Sequence, residues 1–97
     1  MSRISFAAKS FVEYLIGTLI PELVESGRYM LASDFKIAVE FILRPSLKEV
    51  VIDRLGFTPL TRKEFVTYLR DTVVPQLKEG GYRETAADFE TVIHFLG

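Results

Sequence analysis

The chain has no cysteine, no tryptophan and a single histidine among its 97 residues. Without cysteine there can be no disulfide, no thiolate nucleophile and no cysteine-ligated zinc. With one histidine, Cys–His chemistry is excluded and a Ser–His triad would rest on His94 alone. Long apolar runs are missing as well, and a membrane helix needs about 20 consecutive apolar residues. Neither sign of charge dominates: 12 Lys and Arg stand against 13 Asp and Glu, a net charge of −1. Binding to a phosphate backbone needs a basic surplus, so nucleic acid is not expected as a partner. No G-x-S-x-G, P-loop, G-x-G-x-x-G or EF-hand pattern occurs. The start, "MSRISFAAKSF", has one early Arg and a broken apolar stretch, unlike a cleaved signal peptide. The expectation is a cytoplasmic, non-enzymatic protein with no cofactor, no catalytic residue and no metal site.

What is present is material for a core. Hydrophobic residues make up 48% of the chain and aromatics 12%, the opposite of a disordered composition. The length suits one domain. The arrangement is repetitive: residues 11–43 lie over 65–97 without a gap, at a constant offset of 54, with 13 of 33 positions identical. The identities include Phe11/Phe65, Leu15/Leu69, Thr18/Thr72, Pro21/Pro75, Gly27/Gly81, Asp34/Asp88 and Phe35/Phe89. An ungapped match of that density reads as a duplicated unit.

Each unit carries two helical patterns. Phe11, Val12, Leu15, Leu19 and Leu23 form one stripe, and Phe35, Ala38, Val39 and Ile42 form a second. Gly27 and Gly81 stand where a helix end wants a left-handed residue. Thr85, three residues before Asp88, resembles a capping arrangement. Between the units, Ser46-x-x-Glu49 reads as a capping box, Val50, Val51 and Leu55 as an apolar face, and Gly56 as a stop. "GFTP" then reads as a turn, and Thr61-x-x-Glu64 opens the second unit with another capping box. The predicted fold is all-α: about five helices, two helical hairpins (11–43 and 65–97) joined by a linking helix over 46–55, in a single domain.

Pro21 and Pro75 fall inside the first helix of each unit, where proline costs about 3 kcal/mol through a lost hydrogen bond and a clash four residues back. A fresh start at Pro21 would make Ile20 an N-cap, a role aliphatic residues fill badly. A continuous, bent helix is therefore expected, with Thr18 and Thr72 hydroxyls placed to occupy freed carbonyls. Tyr14 and Thr18, like Tyr68 and Thr72, are four apart and share a helix face. If the two copies packed about a pseudo-twofold axis, these four hydroxyls would line a cleft for a small polar ligand.

Other candidate constellations have plainer readings. Asp34 and Asp88 sit early in predicted helices, where the helix dipole favours a carboxylate. Glu90 and His94 supply two potential metal ligands one turn apart, but a site needs a third and usually a fourth. The second helices, "ASDFKIAVEFIL" and "TAADFETVIHFL", lack the basic and amide residues of a groove-reading helix.

The differences between copies point to a partner. Ile16, Val24, Met30 and Leu31 correspond to Arg70, Lys78, Glu84 and Thr85. If equivalent positions face alike, the second copy marks them as solvent-facing, and in the first they are apolar. The N-terminal segment with Ile4 and Phe6, the linking helix or another chain must then cover them. The expectation is an interaction protein, a homodimer through the first unit or a subunit on another protein.

Overall fold

A computed structural model describes residues 5–51 and 59–97. Four helices account for most of them, with one two-stranded sheet, and the class is all-α. The chain divides into two compact units, Met1–Ser46 and Leu47–Gly97.

The first unit opens with α1 (Phe6–Tyr14), a turn of π-helix (Leu15–Leu19) and α2 (Ile20–Glu25). These form one unbroken rod, because Tyr14, Leu15, Leu19 and Ile20 all keep right-handed helical dihedrals. Ser5 caps its start, its hydroxyl accepting from the Ala8 N–H at 3.1 Å. The π turn answers the proline. The Ile20 N–H donates to the Leu15 carbonyl five residues back, and the next residue, Pro21, has no N–H to place. Widening the turn moves the carbonyls relative to the ring, so the helix continues where an α-turn would clash. Thr18 lies exposed within this turn, and the backbone itself accommodates the missing donor.

The second unit repeats the device. There α4 (Arg62–Tyr68), a π turn (Leu69–Val73) and α5 (Val74–Glu79) form the rod, with the Val74 N–H donating to the Leu69 carbonyl just before Pro75.

Each rod folds back on one long helix, α3 (Tyr29–Leu43) in the first unit and α6 (Arg83–Leu96) in the second. The reversal is a Schellman turn in both. Gly27 and Gly81 adopt φ of +79° and +85°. The Arg28 N–H reaches the Leu23 carbonyl at 2.8 Å, as the Tyr82 N–H reaches that of Leu77 at 2.8 Å. The same two residues then open the next helix, since the carbonyls of Arg28 and Tyr82 accept from Ala32 and Ala86. No side chain caps α3 or α6. Thr85, expected as a cap, is the third residue of α6. The tight turn hands the chain directly to the helix and removes the need for a side-chain cap. Alanine at Gly27 or Gly81 meets no atom within 4 Å but must hold a left-handed backbone. Each change should cost about 1–2 kcal/mol, read as a lower denaturation midpoint.

The apolar stripes meet across each hairpin. Val12, Leu15, Leu19 and Leu23 are buried with Phe35, Ala38, Phe41 and Ile42, as are Phe65, Leu69, Val73 and Leu77 with Ala86, Phe89, Val92 and Leu96. Each fully buried Leu or Phe contributes roughly 1.5–3 kcal/mol against the chain entropy.

The predicted linking helix over 46–55 is not what the described residues show. Glu49–Val51 is a strand, β1, paired antiparallel with β2 (Pro59–Thr61) in the register Glu49↔Thr61, Val50↔Leu60, Val51↔Pro59. The count among the described residues is four helices, not five. Glu49 therefore belongs to a strand and not to a capping box with Ser46. Residues 52–55 of the expected helix, and most of the "GFTP" turn, lie outside the described residues. Two adjacent β-branched valines favour the extended form once a partner strand is present. The partner is tied in place by Arg62: its backbone N–H donates to the Lys48 carbonyl at 2.8 Å, and its Nε and Nη2 donate to that of Leu47 at 3.3 and 3.1 Å. Partial burial there lowers the guanidinium pKa from its ordinary value.

The second predicted capping box is present. Thr61 Oγ1 accepts from the Glu64 N–H at 3.0 Å, and Glu64 Oε1 accepts from the Thr61 N–H at 3.1 Å. The backbone N–H of Thr61 first, then its hydroxyl, holds the Glu64 pKa below the usual carboxylate value. A depressed folded-state pKa stabilises the fold above the unfolded pKa, and that gain is lost as pH falls through the lowered value. Glu64→Gln should thus melt below wild type at neutral pH, with the gap closing on acidification, as thermal melts across pH will show.

Candidate interaction surface

Three of the four residues singled out by the comparison of copies are exposed on the first unit: Ile16 at 53%, Val24 at 38% and Met30 at 61%. Leu31 is only half-buried and contributes less of its surface. Their counterparts Arg70, Lys78 and Glu84 are exposed too, and Thr85 is half-buried like Leu31, so burial class agrees at all four pairs.

The π turn decides how two of them relate. Ile16 and Val24 are eight residues apart, which in an unbroken α-helix would set them about 80° apart at 100° per residue. The wider turn between them takes up one more residue per circuit and brings both toward one face. The second unit shows that phasing directly, because Arg70, Val74, Pro75 and Lys78 line one groove with Glu90 and Ile93 of α6. Subtracting 54 gives Ile16, Ile20, Pro21, Val24, Lys36 and Val39 as the corresponding positions of the first unit. Met30 stands in the first turn of α3, just past the Schellman turn that ends α2 near Val24.

Sequence reasoning missed Tyr29, which is 66% exposed and replaces Arg83 of the second copy. The signal was the same apolar-for-charged exchange, one position before Met30. The N-terminal segment is not a cover as far as it is described: Phe6 is itself 86% exposed, and Ile4 lies outside the described residues. Leu43, at the end of α3, is a further exposed apolar side chain.

The hydroxyl set divides between the units. Tyr68 and Thr72 line a shallow depression of about 560 Å³ with Lys63, Glu64, Thr67 and Asp71, all on the rod of the second unit. Tyr14 and Thr18 are exposed on the first unit, where the Tyr14 ring lies 6.1 Å from that of Phe11.

The carboxylates and the histidine also find places. Asp34 is 1% exposed, while Asp88 is half-buried. Because α3 begins at Tyr29 and α6 at Arg83, both stand in the second turn, beyond the reach of the helix dipole expected for them. Among the described residues no buried side-chain polar atom lacks a hydrogen-bond partner. Glu90 lies 3.5 Å from Lys78 Nζ, and His94 is exposed with its ring 5.5 Å from Phe95. Among the described residues no three His, Asp or Glu side chains group as metal ligands, and no helix is long and apolar enough to cross a membrane. Comparisons with protein-family models, with curated proteins and with solved structures return no match.

Proposed function

We propose that the chain is a duplicated helical hairpin acting as a non-enzymatic interaction module, which self-associates through the apolar face of its first copy. The observation that carries this reading is the exposure of Ile16, Val24, Met30 and Tyr29 at positions where the second copy has Arg70, Lys78, Glu84 and Arg83. The same backbone thus carries two surfaces, one suited to water and one not. Exposed apolar residues gathered on a face mark an interface, and a twofold pairing of like faces is the commonest closed assembly. Sedimentation across a concentration series tests it. Wild type should pass from monomer to dimer, and Ile16→Arg with Val24→Lys should stay monomeric. A wild type that remains monomeric at the highest concentration overturns the proposal.

The depression around Tyr68 and Thr72 supports a second reading, a site for a small polar ligand on the second unit. Three hydroxyls, two carboxylates and Lys63 give it donors and acceptors of both kinds. Native mass spectrometry should then show retained mass that Tyr68→Phe removes without unfolding the protein. Bare chain mass from the wild type rejects the site.

A further inference from the structure

The groove on the second unit runs between its rod and α6 and combines apolar and charged residues. Its floor is Val74, Pro75 and Ile93, and its volume is about 440 Å³. One wall carries Arg70 and Lys78 on one rod; because the π turn between them takes up one residue, their separation along the axis is that of about seven α-helical residues, roughly 10.5 Å at 1.5 Å per residue. Glu90 stands on the opposite wall, on α6. Among the described residues both cations have surface partners: Arg70 Nε meets its neighbour Asp71 at 3.1 Å, and Lys78 Nζ meets Glu90 at 3.5 Å, with all four side chains more than half exposed. Pairs of that kind are worth about 0–1 kcal/mol and exchange readily for better ones.

We propose that this groove binds an amphipathic helix of a partner protein, with apolar residues toward Val74, Pro75 and Ile93 and two carboxylates, about two turns apart, toward Arg70 and Lys78. The reasoning is charge complementarity along a groove of helical geometry. Two packed helices leave a furrow that a third can enter with residues at i, i+3, i+4 and i+7. Acids at i and i+7 rise roughly 10.5 Å, close to the spacing of the two cations. Glu90 disfavours an acid on the other side of the incoming helix, which fixes its rotation. The proline contributes as well. Without an N–H, and inside a rod phased by the π turn, Pro75 presents a flat apolar surface between the two cations. The equivalent furrow of the first unit replaces both cations with Ile16 and Val24, so the two copies would select different partners: a like apolar face for one, an acidic helix for the other.

The test uses the full chain and two fluorescent helix-forming peptides of about four turns, identical in their leucine stripe, one with Glu and one with Lys at the paired i, i+7 positions. Fluorescence anisotropy should show the Glu peptide binding, with affinity falling as salt is raised toward about 0.5 M. The Lys peptide should bind at least about tenfold more weakly. Arg70→Glu with Lys78→Glu changes two exposed side chains, and circular dichroism checks that the helices persist. This variant should lose the Glu peptide by about tenfold or more and gain the Lys peptide. Equal binding of the two peptides, no binding of either, or a double variant that still prefers Glu would each overturn the proposal. So would loss of wild-type self-association in that variant, because a second copy would then be the occupant. The Ile16→Arg, Val24→Lys protein keeps Arg70 and Lys78, so it should bind the Glu peptide at least as tightly as wild type does, and this groove and the first-unit interface succeed or fail separately.

Discussion

Phe89→Ala is expected to remove about 3–5 kcal/mol of stability, and Phe35→Ala about the same. Both rings are fully buried, at 0% exposure, and they occupy the same place 54 residues apart. The loss has two parts, the transfer free energy of the ring and the unfilled space left behind, because the surrounding helices relax only partly. Against a total stability of about 5–15 kcal/mol for an ordinary domain, either change leaves little margin. Phe6→Ala is the control, since an 86% exposed ring should change stability by no more than about 0.5 kcal/mol. Urea titration followed by far-ultraviolet dichroism separates the three. A Phe89→Ala protein as stable as Phe6→Ala would mean that the ring does not anchor the second unit.

Introducing Ile16→Arg and Val24→Lys together should raise the dissociation constant of the proposed dimer by more than about a thousandfold, which corresponds to about 4 kcal/mol. Symmetry enlarges the effect. In a twofold interface each substitution appears twice, so two changes place four cations in contact with an apolar surface. Burying an unpaired charge costs several kcal/mol each, and like charges facing one another across the axis add to that. Folding should survive, because the second copy already carries arginine and lysine at these positions on the same backbone. The decisive result is therefore a monomer with an unchanged melting profile. A dimer that persists would locate self-association elsewhere.

Much of each helical unit was legible from local patterns. The stripe through Leu15, Leu19 and Leu23 names buried positions because a helix repeats its faces at short intervals, and a core accepts only the apolar one. Gly27 and Gly81 announced the chain reversals because a left-handed residue strongly favours glycine. Thr61 and Glu64 announced a helix start because three residues suffice to close the reciprocal hydrogen bonds. Of the candidate surface, the exchanges Ile16/Arg70, Val24/Lys78 and Met30/Glu84 were visible in the duplication alone.

What local pattern misread was the connector. Ser46 to Leu55 has the spacing of a short capped helix, but Val50 and Val51 sit in a strand whose hydrogen-bond partners come from Pro59–Thr61. A two-stranded ribbon is marginal alone, and its stability depends on what it is tied to, here Arg62 at the head of α4. No window of sequence contains that dependence. The phase of the long rods was hidden for a similar reason: the prolines were plain to see, yet only the backbone could answer them with a π turn and so turn Ile16 and Val24, and Arg70 and Lys78, toward common faces. Which residues are apolar, where the chain reverses and which copy is apolar where the other is charged could all be read from the sequence, because they are properties of residue types and short intervals along the chain. Strand against helix at Val50 and the phasing of the second unit's groove were settled only by the folded backbone, because both depend on hydrogen bonds between residues that composition and periodicity do not pair.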